Sequence, residues 1–594
     1  MCGFIGQVSL NNIHPDLLNK PNDRIICRGP DGCKKEHFSN NSVNYSLIFN
    51  RLRILDLSTT ADQPMRSIKD KSLIMFNGEI FNYQELRKKL VNQGSRFFTE
   101  RSDTEVILNG LDIFGKKFID QLRGQFAIFY VNFEKGEILL SRDRLGQKPL
   151  YYAINDNTFS FSSNLKSLAE TIADTQIDYS QITNYINFGV VPSPHTPYKN
   201  IYKLEAGENL IISINLNNFS FVKEKYWSPV NFIDDKTFET EEFFNIFTDS
   251  VTLRKDADVE VATFLSGGID STSIIKNMYD SGHKINSFSV SVPNSKYDES
   301  LWANQVASKY STNHTSINVS SNLSFEDIRE ALSSLDEPYS DPSVVPSYFL
   351  TKEMSKHFKV GISGDRGDEL LGGYERIVKT VDYKNRFLDI FSKVDYLYPS
   401  FLGSGNRFLS KSKDIDTRYK SFLEDRKFLK LLDMDVVTNN NFLTLDNRFS
   451  DYKNVLLKEY SFFLSEMMLL KVDRTSMKNS IEVRSPFLDH KLIEYIFSHN
   501  TNYVNHLEPK QILKKYLSSD FNNKFLQRKK QGFVFNLEDF IYNNKNQIFD
   551  ILNSGEISSF LNVKKLNLLN INKSRINSQR IWKLLVLSNF FENS

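Results

Sequence analysis

Residues 260–279, EVATFLSGGIDSTSIIKNMY, restrict the possible folds of this 594-residue chain more than any other stretch. An apolar strand leads into two adjacent glycines, and the segment behind them has helical spacing. Glycines let backbone N–H groups close around an anion, and a helix N-terminus adds partial positive charge. Leu265, Ser266, Gly267, Gly268, Asp270 and Ser271 make this corner a nucleotide-phosphate loop. It lacks G-x-x-x-x-G-K-[ST], so it is not the γ-phosphate cradle of a P-loop NTPase. A plain strand–turn–helix corner would need only one of the glycines. KINSFSVSV then reads as a strand, DESLWANQVASKY as a helix, and HFKVGISGDRGDELLGGY as strand then loop. Strands alternating with helices predict a parallel, doubly wound sheet.

The N-terminal part is patterned differently. Over the first 170 residues, SLIFN, SLIMFNGEI, QFAIFYVNF and EILLSRD are short apolar strands, and NYQELRKKLVNQG is a helix stopping at Gly94. Residues 1–210 are therefore expected to form one domain and 236–594 another, with 211–235 connecting them. Beyond about residue 380 the chain reads as mainly helical. The stretch 400–450 is poorly patterned, and the Asn-rich pieces near 439 and 543 read as loops.

Charge excludes some partners. The formal net charge is +2, so nothing pulls the chain as a whole towards nucleic acid or a membrane surface. No run of about 18 apolar residues is present, and no signal-peptide pattern opens the chain. Three cysteines, Cys2, Cys27 and Cys33, suit a reducing, cytoplasmic compartment better than a disulfide framework.

Acids and bases cluster behind the phosphate loop. ISGDRGDELLGGY places Asp365, Asp368 and Glu369 among four glycines, beside Ser363 and Gly364. Mg²⁺ takes hard oxygen ligands and shares them with phosphates. Asp270 and Asp368 are the expected ligand pair for Mg²⁺, with a solvated acidic loop as the alternative. In LLKVDRTSMKNSIEVRSPFLDHKL, Lys471 and Arg474 are expected to offer positive charge where a pentavalent phosphate builds negative charge. Glu482 and Arg484 either join that site or pair with each other. RKKQGFVF, residues 528–535, is either a further basic contact or a solvated turn.

These blocks closely resemble the synthetase domain of the glutamine-hydrolysing asparagine synthetases. The family's S-G-G-x-D-S, F-S-V, D-E-P-x-x-D-P, G-[DE]-G-x-D-E-x-x-G-G-Y, K-x-D-R-x-S-M and K-x-G-F signatures appear in order. Here they read SGGIDS, FSV (288–290), DEPYSDPS (336–343), GDRGDELLGGY, KVDRTSM and KKQGF. The resemblance implies an ATP pyrophosphatase that cleaves between the α and β phosphates and leaves an adenylated carboxylate. It adds Val290 to the ATP contacts and gives Asp365 a catalytic role.

The family's glutaminase domain is matched as well, by MCGFIG, RGPDG (28–32), RLRILDL (51–57), FNGEIFNYQEL (76–86), SDTEVI (102–107) and SRDRLGQKPLYY (141–152). The resemblance implies an N-terminal-nucleophile hydrolase, with two β-sheets sandwiched between helices. Loss of Met1 would give Cys2 its own α-amine, of pKa about 7.7–8, as base for a thiol near 8.5. By position, Asn77 and Gly78 form the oxyanion hole. Arg51 holds the glutamine α-carboxylate in a bidentate fork, Asp103 takes the α-ammonium, and Glu79 bonds substrate or loop.

Together the halves imply amide synthesis: glutamine yields ammonia, ATP activates a carboxylate, and ammonia attacks it behind a water-excluding route. Aspartate is the simplest acceptor. The same machinery amidating a sugar acid or another carboxylate is the alternative, and a non-catalytic homologue is a third reading that the intact Cys2, Asn77, Asp270 and Asp368 oppose. The partners implied are small molecules, with a homodimer possible. The chain departs from the family pattern at Cys27, Asn50 and Asn164, where packing adjustments are expected. It also departs at Asp365, one methylene shorter than the usual glutamate, and at Arg366, usually glycine. Arg366 either reads an extra carboxylate or points outwards.

Overall fold

The computed structural model describes residues 2–592 apart from 156, 216–217, 233, 292–297, 319–322, 382–398, 400–403, 405–408, 411, 436–447, 501–509, 529–534, 560, 562–568 and 570–573. Most of the basic segment 528–535 thus lies outside the described residues, as does the Asn-rich piece near 439.

Two six-stranded antiparallel sheets build the N-terminal half. The first runs Tyr202–Lys203, Tyr151–Ile154, Thr158–Ser162, Gly3–Ser9, Val43–Arg51, Gly32–Asn40. The second runs Phe219–Lys225, Glu208–Ile214, Glu137–Arg142, Gly124–Asn132, Ser72–Ile80, Met65–Arg66. Alternation decides what lies between them, since period-2 apolar residues of both sheets point at each other. Phe4, Val8, Leu47 and Phe49 of the first meet Leu73, Met75, Phe129 and Leu140 of the second in one core. The second sheet's other face (Ile74, Phe76, Ile128) is covered by the helices Tyr83–Asn92 and Asp103–Phe114. The helix Tyr83–Asn92 stops as the sequence predicts: Gly94 adopts φ +91°, and Ser95 N–H returns to Leu90 O at 3.0 Å. The edge strand Phe219–Lys225 falls in the stretch expected to be a connection, and pairs with Glu208–Ile214 in register from Glu208–Lys225 to Ile214–Phe219.

The C-terminal half holds a five-stranded sheet in the order Asn313–Asn318, Asn286–Ser291, Val261–Phe264, Val360–Ile362, Glu482–Arg484, with every pair parallel. The chain leaves the central strand Val261–Phe264 towards one edge and later returns to build the other. The order therefore reverses beside Val261–Phe264, and in such sheets ligands bind at this crevice, past the strands' carboxyl ends. Glu482–Arg484 is the fifth strand. Helices dominate afterwards, including a π-helical stretch Glu459–Met468 that feeds Leu469–Lys478. Helices Ile415–Lys420 and Arg426–Leu431 occupy part of the poorly patterned stretch. Residues near 543, expected to be a loop, lie in helices Leu537–Asn543 and Lys545–Ser554, because Leu537, Phe540, Ile541 and Ile548 supply a buried face and Asn536 caps the first. The two halves share apolar packing: Leu165, Ile182 and Tyr185 belong to the same core as Phe462 and Trp582.

Candidate active sites and their connection

Cys2 precedes the strand Gly3–Ser9 and is buried. Its N–H donates to Asn77 Oδ1 at 2.9 Å, and its carbonyl accepts from Arg28 Nε at 3.2 Å. Asn77 is fully buried on Ser72–Ile80, and its Nδ2 has no hydrogen-bond partner. Buried amide donors are rarely left unmatched, because the desolvated group costs about 1–3 kcal/mol. Gly78 follows, where a Cβ would sit 2.0 Å from Gln125 O, so no side chain fits. Burial pushes the Cys2 thiol up, while the amino terminus, the Leu52 N–H and Arg51 pull the other way.

Glu79 and Asp103 lie close by. Asp103 starts its helix and accepts from Ile80 N–H at 3.0 Å; burial, reinforced by Glu482, pushes its carboxyl up to about 6. Glu79 is raised well above the usual range by burial, against the pull of Arg484. Arg484 comes from the other half of the chain: its Nη2 lies 3.1 Å from Glu79 Oε2, and its Nε bonds Glu482 Oε1 at 2.6 Å. The internal pairing of Glu482 with Arg484 is thus present, and it reaches into the Cys2 pocket. Burial would raise Glu482, but the amino terminus, Arg484 and Lys148 outweigh it and bring it down to about 2. Arg51, expected at the glutamine α-carboxylate, is held by the loop that follows it. Its Nη1 bonds Ser58 O and Asp62 Oδ1, both at 2.7 Å, and its Nη2 bonds Leu55 O at 3.2 Å and Asp56 O. Its fork is occupied by the 55–62 loop, which it braces beside Cys2.

The candidate phosphate loop sits at the reversal of the parallel sheet. Leu265 N–H bonds Phe288 O at 2.8 Å, tying the loop's start to the next strand, on which Val290 is half-buried. Gly267 takes φ +68°, and a Cβ there would meet Trp302 at 2.6 Å. Ser266 Oγ accepts from Gly268 N–H at 3.2 Å and lies 3.3 Å from Ser271 Oγ. The helix Ile269–Asp280 begins here and carries Asp270 in its first turn. The Ser363–Gly364 loop closes the other side, so tightly that a Cβ on Gly364 would lie 2.5 Å from Ser271 N. Asp270 Oδ2 and Asp368 Oδ1 converge on one cation, each 2.5 Å from Lys510 Nζ. Among the described residues no His, Cys, Asp or Glu cluster forms a complete metal cage. Two carboxylates beside a phosphate loop match an ion that shares its ligands with phosphate oxygens.

Lys471 Nζ bonds Ser343 Oγ at 3.0 Å, at the end of the DEPYSDPS segment. Arg474, expected at the phosphates, is instead deeply buried between the halves: Nε bonds Asp336 Oδ1 at 2.5 Å, Nη1 bonds Asp473 Oδ2 at 2.9 Å, and Nη2 bonds Tyr151 OH. Asp473 also takes Arg28 in a two-pronged pair, at 2.8 and 3.0 Å. Cys2 carbonyl, Arg28, Asp473, Arg474 and Asp336 thus form one buried polar chain, from the candidate nucleophile to the segment beside Lys471. Sequence reasoning missed Arg28, Asp473 and Lys510 as site residues. Arg28 stands inside the matched RGPDG, and Asp473 between Lys471 and Arg474, but nothing around Lys510 marks it. Of the departures, Asn164 caps the helix Leu165–Ala169 by accepting from Ser167 N–H at 2.9 Å, and Asn50 bonds Asn22 Oδ1 at 2.6 Å.

One chain thus holds a buried cysteine beside an unmatched amide donor in its N-terminal half and a glycine loop at a sheet reversal in its C-terminal half. Residues 1–227 match the family described as glutamine amidotransferase domain, and residues 242–592 match the one described as asparagine synthase. The second match spans more than half of the chain, which belongs to the asparagine synthase family. It is 29% identical to asparagine synthetase [glutamine-hydrolyzing] 1 of Bacillus subtilis (strain 168), over 99% of this chain and 96% of that one. It is 27% identical to asparagine synthetase [glutamine-hydrolyzing] 3 of the same organism, over 90% of this chain and 87% of that one. No described helix is long and apolar enough to cross a membrane.

Proposed function

We propose that the protein makes an amide from a carboxylate, ATP and glutamine nitrogen, with L-aspartate as acceptor and L-asparagine, AMP and pyrophosphate as products. The observation that carries this reading is Asn77, whose Oδ1 is tied to Cys2 and whose buried Nδ2 is a donor without an acceptor. The oxygen of a tetrahedral intermediate on Cys2 would fill that vacancy.

With Met1 removed, the Cys2 α-amine takes the thiol proton and the sulfur attacks the glutamine amide carbon. The Asn77 Nδ2 and the Gly78 N–H hold the oxyanion. The ammonium so formed returns its proton to the departing nitrogen, leaving a thioester that water hydrolyses to glutamate. Asp103 takes the glutamine α-ammonium, and Arg51 fixes the loop against which the substrate lies. In the second site, Ser266, Gly267, Gly268 and Ser271 receive phosphate oxygens. Asp270 and Asp368 would hold Mg²⁺ where Lys510 now stands, and the ion would neutralise phosphate charge as the acceptor is adenylated. Lys471 supplies fixed positive charge there, whereas Arg474 positions the Asp336 segment rather than touching phosphate.

The test is AMP formation with glutamine, ATP and Mg²⁺, comparing aspartate with other carboxylates. Asparagine formed in step with AMP supports aspartate as acceptor. AMP formed only with a sugar acid moves the assignment to that acceptor, and chelation of Mg²⁺ should stop AMP formation while glutamate release continues.

A further inference from the structure

Arg366 occupies a position that its backbone resists. It has φ +82° and ψ 1°, in the left-handed region that favours glycine, and it caps the helix Gly367–Leu371 that carries Asp368. The loop around it is pinned: Asp365 N–H donates to Ser363 Oγ at 3.1 Å, and Asp365 O accepts from Ser485 Oγ at 2.7 Å. The Arg366 side chain turns inwards and is 3% exposed. A guanidinium has five N–H donors. Here Nη1 reaches Asp365 Oδ2 at 3.1 Å, Nε is buried without a partner, and no other hydrogen bond to a described residue is made. Asp365 itself is a weak counter-charge, its side chain being 63% exposed. Tyr339 is also buried, and its hydroxyl lies 3.5 Å from Asp341 Oδ2. A buried cation with an unmatched Nε donor, on a left-handed backbone three residues past Ser363, has more capacity for an anion than its described partners fill.

We propose that Arg366 is the acceptor-reading residue: it binds a second anionic group, so that the acceptor carries one carboxylate to be adenylated and another anion to be recognised. This rests on the reading that the site adenylates a carboxylate, and it narrows the substrate class to dianionic acceptors such as an amino dicarboxylate. A guanidinium fork matches a planar carboxylate in two hydrogen bonds, and an analogue lacking that anion leaves the donors unmatched. Discrimination between dianion and monoanion therefore arises at this one side chain.

The experiment is acceptor-dependent ATP–pyrophosphate exchange on the full chain with matched pairs: aspartate against its α-amide, and glucarate against glucuronate. Wild-type protein should prefer the dianion of its working pair by about 100-fold in kcat/KM or more. Arg366→Gln should remove that preference mainly by raising KM for the dianion, and Arg366→Lys should restore part of it. Arg366→Gly relieves the left-handed backbone, so it should lose the preference while melting no lower than wild type. Glutamate release from glutamine should be unchanged in all three. A preference for the dianion that survives Arg366→Gln, or a wild-type preference for the monoanion, overturns the assignment while carboxylate activation stands. No exchange with any carboxylate overturns the underlying reading, and this assignment with it.

Discussion

Replacing Asn77 with alanine removes two interactions with different consequences. The Oδ1 acceptor for Cys2 N–H, at 2.9 Å, is worth about 0.5–1.5 kcal/mol. The Nδ2 donor makes no hydrogen bond in the resting protein, so its loss costs nothing until charge develops on the substrate oxygen. At that point a missing oxyanion donor costs about 2.7–4 kcal/mol, or about 10²–10³ in rate. Stability should move little, because deleting an unmatched buried amide relieves about 1–3 kcal/mol and offsets the small cavity it leaves. Asn77→Asp separates the two terms: it keeps an acceptor for Cys2 N–H and loses the donor. Glutamate release, read as kcat/KM for glutamine, should fall at least about 100-fold in both variants. Amide formation supported by ammonium salts should stay near wild type. A fall of less than about tenfold, or an equal loss with ammonium, would refute the assignment of Nδ2 as the oxyanion donor.

Other outcomes follow from the buried charges. Asp473→Asn leaves Arg28, Arg474 and Lys148 facing each other without their shared carboxylate, so unfolding free energy should drop by about 3–5 kcal/mol, measured by denaturant titration. Those cations overcome burial and hold the Asp473 carboxyl well below its usual range, so its contribution is present above the unfolded carboxyl pKa of about 3.9 and fades as pH falls. Wild type should therefore lose more stability on acidification than the variant. Asp103 has the opposite sign. Its folded pKa is raised to about 6, so the folded state holds its proton more tightly, and stability declines as pH rises from about 3.9 through that value. Only the ionised form can take the glutamine ammonium. KM for glutamine should climb as pH drops below about 6, and Asp103→Asn should raise KM and flatten that limb.

Particular residues show what was legible in the chain. Cys2 and Asn77 lie 75 positions apart, yet each stands in a motif dense enough to assign, and folding brings them into one hydrogen bond. The strand–glycine–helix corner is legible because a strand, two glycines and a helix start are local events. Gly267 at φ +68° is the conformation its residue type suggests. Arg474 and Arg51 have partners that the sequence does not announce. A charged residue in a motif reads as facing a ligand, and whether the protein has already paired it depends on partners remote in sequence, such as Asp336 138 positions away. Arg28 and Asp473 are 445 positions apart, and only packing of the two halves pairs them. Lys510 bridges two carboxylates that sequence assigned to a metal, from a segment with no glycine cluster or acidic run to signal it. The strand Glu482–Arg484 is not legible in the sequence, because three residues carry too little periodicity to reveal one.

The most direct test of the central claim, that one cysteine supplies nitrogen to a distant activation site, is amide formation by Cys2→Ala with glutamine and with ammonium side by side. The account predicts no product from glutamine and near-wild-type product from ammonium. Product from glutamine in that variant, or loss of both activities in a folded protein, would contradict it.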